Sequence, residues 1–206
     1  MPIYNEKIRG VLSQFEGKQQ TVGYIPCDLR SGGTANYRGG ANPERYVPMG
    51  ISGVTVGTGV DLGQTDAKTL RNIGVCEDTI NAVRFYLGKQ KFAAIYALND
   101  RPLTITKAQA DELDRCMIDH HIEIIAKRYN KDAGVNAFQS IPWQAQAVIT
   151  SILYQRGVNS PSKFQNTWNS LVMRHWKDAS ERLRNGKLWS GYQSRRRAEG
   201  EILATI

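Results

Sequence analysis

The chain has 206 residues, 41% of them hydrophobic and 22% charged, which suffices for one sizeable core or for one core with a smaller lobe beside it. Lys and Arg outnumber Asp and Glu by 27 to 19, giving a formal charge of +8 and a pI near 9.5. Such a surface attracts any polyanion, whether nucleic acid, anionic lipid or an acidic cell wall. The longest purely apolar stretch, Phe92 to Leu98, is far short of a membrane span, and no apolar run follows Lys7, so neither membrane insertion nor a secretory signal is expected. Cys27, Cys76 and Cys116 are widely spaced and form no CxxC pattern, so reduced, partly buried thiols are expected. His120 and His121 are adjacent and diverge on a helix, so no metal or other cofactor is expected.

In chain order, a first helix is predicted from about Asn5 to Phe15, with Ile8, Leu12 and Phe15 on one face and Gly17 as its stop. Eleven of the nineteen glycines then fall between Gly17 and Gly63, a segment that reads as turns and short strands. A pair of helices is predicted over Asp66–Leu98, broken near Gly74 and Gly88. Thr106 and Gln109 fit a capping box, with Ala110, Leu113, Met117 and Ile124 on the apolar face of a helix reaching about Tyr129. Pro142 suits a first helical residue and Gly157 a stop, around the apolar positions Ala145, Val148, Ile149 and Ile152 of a central helix. Ser160-Pro161 reads as a cap and first turn before Phe164, Trp168, Leu171 and Val172. Short helices are predicted at Asp178–Arg184 and Tyr192–Leu203. The Arg195–Arg197 run fits a solvated helix face. The fold class is therefore α+β, mostly α-helical, with a small β-containing N-terminal lobe and a larger helical lobe.

The segment Ser52–Gln64 alternates Val54, Val56 and glycines, as a strand does when something else approaches its backbone closely. It contains Asp61, an acid flanked by Val60 and Leu62. No strand, glycine-rich turn and helix surround it as in a dinucleotide site, and it lacks the lysine of a phosphate-binding loop. Paired with Glu16, Asp61 supplies the two acids that glycoside hydrolysis requires: one protonates the leaving oxygen, and the other serves water on the opposite face of the sugar. Phe15, directly before Glu16, is placed to keep that carboxyl partly desolvated. With 19 acidic residues in the chain, spacing alone does not single out this pair.

Three stretches resemble the lysozymes of T-even phages and their bacterial-toxin relatives, the pesticin-like lysozymes. They are Phe15-Glu16-Gly17, the hairpin strand Val54-Thr-Val-Gly-Thr-Gly59, and a C-terminal series in family order. That series runs through Leu103–Ala110, Ala147–Gly157, Phe164, Asn169–Leu171, Trp176–Ala179 and Arg196–Glu199. The resemblance implies a two-lobed phage-lysozyme-like fold. Residues 1–206 would form one catalytic domain, with a small lobe of about 14–65 plus the first helix and a helical lobe of about 66–206.

The resemblance also implies a muramidase that cleaves peptidoglycan glycan strands, with Glu16 as general acid and Thr55 holding the attacking water. The T-even pattern places its Asp six residues before the Thr, where this chain has Met49; the pesticin-like pattern places it six residues after, at Asp61. Asp61 is therefore preferred over Asp28 and Glu44. The same match implies sugar contacts at Tyr154 and Gln155 and an arginine, Arg196 or Arg197, paired with Glu16. Inversion is implied as well, which asks for carboxyl groups about 6.5–9.5 Å apart. Expected partners are peptidoglycan and, for a delivered toxin, a cognate immunity protein; a monomer is expected. Made without a signal, the protein would reach the periplasm through a holin pore, as a phage endolysin, or by delivery into a target cell. A non-catalytic wall-binding module on the same fold is the alternative. Nucleic-acid binding is disfavoured because the basic residues gather on no single recognition helix.

Overall fold

The structure, a computed structural model, describes residues 4–186 and 191–206. The chain forms two compact units, Glu16–Met117 and a helical unit of Met1–Phe15 with Ile118–Ile206.

The first unit is built on strand β1 (Gln20–Leu29). Antiparallel β2 (Thr34–Tyr37) lies along one edge of β1, while β3 (Tyr46–Pro48) and β4 (Thr55–Gly57) share the other. The short β5 (Val60–Asp61) completes the sheet against β4. Period-two alternation decides which face of β1 is covered: Gly23, Ile25 and Cys27 are buried, while Asp28 on the opposite face is exposed. Three helices follow, α2 (Ala67–Asn72), α3 (Glu77–Val83) and α4 (Lys91–Asp100), with a 3-10 turn at Arg84–Tyr86. The predicted pair is thus three helices, separated where Gly74 and Gly88 take positive φ. Their Leu70, Ile80, Val83, Ile95 and Leu98 share one core with Ile25, Val54 and Val56 of the sheet and Leu113 of the next helix. This shared core explains why the unit extends to Met117 and does not end near residue 65.

Helix α5 (Lys107–Ala133) begins at the predicted capping box: Gln109 N–H donates to Thr106 Oγ1 at 3.2 Å, and Thr106 N–H to Gln109 Oε1 at 2.9 Å. It runs four residues past Tyr129 and stops before Gly134, whose φ is +108°.

In the helical unit, α1 (Tyr4–Phe15) packs on α6 (Trp143–Arg156), in which every residue from Ala145 to Leu153 is buried. Pro142 immediately precedes α6 and Gly157 ends it with φ +86°. Ser160 does not cap the next turn; its hydroxyl donates back to the Gly157 carbonyl at 2.6 Å, and Pro161–Phe164 forms a 3-10 turn. Helices α7 (Gln165–Val172), α8 (Trp176–Asn185) and α9 (Gln193–Leu203) complete the unit. Phe164, Trp168, Leu171, Leu183 and Leu203 join its core. No helix among the described residues is long and apolar enough to cross a membrane.

The basic charge is unevenly shared. Residues 16–117 hold twelve Lys and Arg against eleven Asp and Glu, whereas the helical unit holds fifteen against eight.

Candidate active site

In the first unit the site is a row across three strands. Tyr24 on β1 is the antiparallel partner of Thr55 on β4, and Thr55 is the partner of Asp61 on β5. Directly opposed residues project from the same face with Cβ atoms about 5 Å apart, so the three side chains stand side by side. The segment Ser52–Gln64, expected as a single strand, is therefore a tight hairpin. Gly57 (φ +61°) and Gly59 (φ +106°) let the chain reverse between Val56 and Val60.

Thr55 and Asp61 are each fixed by contacts to the backbone. The Thr55 hydroxyl lies 3.4 Å from the Gly53 carbonyl, and the residue is only 5% exposed. Asp61 Oδ1 accepts the N–H groups of Gly53 (3.0 Å) and Gly63 (2.9 Å), and its Oδ2 accepts from Gln64 Nε2 at 2.7 Å. Asp61 thereby caps the 3-10 turn Leu62–Gln64. A carboxylate offers about four lone-pair positions, and three donors to it are seen among the described residues. Burial raises the Tyr24 phenol above its ordinary range; Arg38 opposes this and the charges of Asp61 and Asp114 add to it. The phenol is accordingly a hydrogen-bond donor at neutral pH. The Arg38 guanidinium lies 5.4 Å from the Tyr24 ring centre and is tethered to Gln20 Oε1 at 3.0 Å.

Gly53 and Gly63 meet backbone to backbone behind the hairpin. A Cβ on Gly53 would lie 2.5 Å from Gly63 Cα and 2.6 Å from the Lys89 carbonyl oxygen. The close approach expected from the glycine pattern is thus made by the protein's own backbone.

Glu16 is the first residue of this unit, half-buried, between the end of α1 and Gly17 with its φ of +82°. Neither rival acid stands in the row. Asp28 is exposed on β1, four residues and about 13 Å beyond Tyr24. Glu44 is exposed in the 3-10 turn Pro43–Arg45.

In the helical unit, Tyr154 and Gln155 lie in the last turn of α6. The Tyr154 ring meets His121 edge-on at 5.0 Å, and Gln155 Oε1 accepts from Arg196. Arg196 is wholly buried and pairs with Glu199 Oε2 at 2.8 Å. Glu199 Oε1 takes the Ser151 hydroxyl at 2.5 Å and Arg195 Nε at 3.3 Å. Arg195 in turn lies over the Phe15 ring at 4.9 Å. The predicted solvated arginine face is thus divided: Arg197 is exposed, Arg195 half-buried and Arg196 fully enclosed. Burial drives the Glu199 carboxyl up to about 7 against the pull of Arg196, Ser151 and Arg195. Burial likewise lowers the Arg196 guanidinium to about 10.

Residues 8–177 match the pesticin family, described as the bacterial toxin homologue of phage lysozyme, C-terminal part. The chain belongs to that family. No curated protein matches it. Family membership brings a lysozyme-like, peptidoglycan-related function.

The matched span of this pesticin-family chain contains Glu16, Thr55, Asp61, Tyr154 and Gln155, whereas α9 with its arginines lies beyond it. Two residues of the first unit, Tyr24 and Asp114, escaped sequence reasoning. Tyr24 was legible only once the glycine-rich stretch was known to hold a ten-residue strand. Asp114 left a signal, an acid four residues after Ala110 on the apolar stripe of α5. In the helical unit, Arg195 and Glu199 were noted in the sequence, but their burial was not, because charged residues read as solvent-facing.

Proposed function

We propose that this pesticin-family protein is a muramidase that hydrolyses the glycan strands of bacterial peptidoglycan with inversion. Glu16 protonates the bridging oxygen while the glycosidic bond breaks and an oxocarbenium-like sugar develops. A water held by Thr55 and Asp61 attacks the anomeric carbon from the opposite face and gives its proton to Asp61. One water is thereby added across the bond, and proton return from Asp61 to Glu16 through solvent resets the site. Tyr154 and Gln155 contact the sugars.

The observation that carries this reading is the direct pairing of Thr55 with Asp61 across the β4–β5 ladder. A hydroxyl and a carboxylate on one rigid hairpin are the parts needed to orient a water. The basic helical unit suits a wall bearing acidic peptides and anionic polymers. Because the family is described by its toxin homologue, the setting we favour over a phage endolysin is delivery into the periplasm of a rival cell, with a cognate immunity protein in the producer.

The test is digestion of purified Gram-negative peptidoglycan by wild type and Glu16→Gln, with fragments identified by mass spectrometry. Reducing-end muropeptides from wild type, absent with a folded Glu16→Gln protein, are expected. Wall binding without release by wild type would replace the enzyme with a non-catalytic wall-binding module.

A further inference from the structure

One buried acid of the first unit stands outside the row itself. Asp114, on α5, is 7% exposed. Its Oδ1 accepts the Thr58 N–H at 2.8 Å, and its Oδ2 accepts Gln19 Nε2 at 2.8 Å. The Gln19 amide is shared with Asp111 Oδ1 at 2.9 Å. Gly57 presses on the same carboxylate: its φ is +61°, and a Cβ there would lie 2.2 Å from Asp114 Oδ1. The β4–β5 turn is thus moulded on a carboxylate that no larger residue at position 57 would leave in place.

The sequence positions of the two donors give this contact its meaning. Thr58 lies midway between Thr55 and Asp61, at the tip of their hairpin. Gln19 lies three residues after Glu16, on the segment leading into β1. All of these belong to the compact unit Glu16–Met117.

We infer that Asp114 is a positioning residue whose carboxylate ties the segment leaving Glu16 to the hairpin that carries Thr55 and Asp61. The inference rests on the hydrolase reading above. Both ties are hydrogen bonds to an ionisable carboxylate in a buried setting, which are shorter and stronger than neutral ones. Displacing reacting groups by about 1 Å can cost about 100-fold in rate, so a small loosening here registers in catalysis before it registers in substrate binding. An asparagine at 114 keeps the volume but offers one oxygen for two donors and turns an NH₂ group against the other.

The test compares wild type, Asp114→Asn and Glu112→Gln. Glu112 lies two residues earlier on the same helix and accepts from Cys76 N–H at 3.1 Å and from the Thr79 hydroxyl at 2.6 Å, so it anchors the start of α3 away from the hairpin. Kinetics on soluble peptidoglycan fragments are measured where circular dichroism finds each protein folded. For Asp114→Asn, kcat is expected to fall about 10-fold or more with KM within about twofold. Amide exchange at Thr58 should accelerate in that variant. Glu112→Gln should melt earlier but keep kcat within about twofold. Gln19→Ala, which cuts one tie only, should lower kcat by a smaller factor and leave Thr58 exchange unchanged.

A folded Asp114→Asn with wild-type kcat would overturn the inference, as would an equal kcat loss in Glu112→Gln. An inactive wild type would remove the hydrolase reading and this role with it, whereas an active wild type with an indifferent Asp114→Asn removes this role alone.

Discussion

Thr55 and Asp61 face each other across the β4–β5 ladder, and Asp61 also closes the hairpin it ends by taking the N–H groups of both Gly53 and Gly63 on one oxygen. The same carboxylate therefore has a structural duty and, in the proposed mechanism, a chemical one. Substitutions that preserve one and remove the other separate the two.

Asp61→Asn keeps a side-chain oxygen for the two backbone donors, and Asn ranks with Asp as a cap. Chemical denaturation should find stability changed by no more than about 0.5 kcal/mol, while muropeptide release falls about 100-fold or more with the loss of the general base. Asp61→Ala should lose the same activity and also about 1–2 kcal/mol, because two N–H groups lose their acceptor. Full activity in Asp61→Asn would remove Asp61 from the chemistry and leave it only the cap.

The Thr55 hydroxyl makes one long contact, 3.4 Å to the Gly53 carbonyl, too long to stabilise the fold much. Thr55→Val, which keeps the shape, should therefore change stability by less than about 1 kcal/mol. If that hydroxyl holds the attacking water, the same variant should lose about 10-fold or more in hydrolysis rate, and Thr55→Ser should recover most of it. Equal activity in the valine and serine variants would show the hydroxyl to be idle.

Several stops and caps of this chain were legible because each rests on local chemistry, although α5 outran its expected end and Ser160 caps nothing. Gly17 and Gly157 take positive φ at helix ends, and Thr106 and Gln109 cap each other within four residues. The apolar face of α6 was equally plain, though its burial on every side from Ala145 to Leu153 reflects neighbours that periodicity cannot count. The hairpin was half legible: the glycines of Val56-Gly-Thr-Gly-Val60 permit a reversal, but only pairing with β1 decides that one occurs there. Asp61 stands out in the sequence because a charge between Val60 and Leu62 shows no structural use there. It has one, as a cap, and that use depends on Gly53, eight residues away. The enclosure of Arg196 and Glu199 was not legible at all, since it requires Ser151 and Gln155 on a helix more than forty residues earlier.

The glycines behind the hairpin provide a stability test independent of activity. On Gly53 a Cβ would meet Gly63 Cα at 2.5 Å and the Lys89 carbonyl oxygen at 2.6 Å, both backbone atoms that cannot swing aside. Gly53→Ala should cost at least about 3 kcal/mol. Gly10, inside α1, has nothing within 4 Å of a built Cβ. Gly10→Ala should stabilise the protein by about 0.5–1 kcal/mol through helix propensity alone. Urea titrations of the two variants should move in opposite directions, and a Gly53→Ala protein as stable as wild type would show the contact to be relaxed in solution.

Glu199 ties the helical unit's stability to pH. Its carboxyl is raised to about 7 by burial, against about 4.3 for an unfolded glutamate. Between those values the folded chain holds a proton that the unfolded chain has released, so this group's contribution is complete below the unfolded value and is lost as pH rises through about 7. Glu199→Gln keeps one oxygen for Ser151 and Arg195, turns an NH₂ group toward Arg196, and cannot titrate. Unfolding free energies measured by urea from pH 4 to pH 8 should therefore diverge, wild type losing stability relative to Glu199→Gln up to about pH 7 and tracking it above. Parallel curves would mean that Arg195 and Arg196 keep the carboxylate charged throughout. Glu199→Ala is a different perturbation, because it strands the wholly buried Arg196 without its acid; it should cost about 3–5 kcal/mol above about pH 7, where the carboxylate is charged.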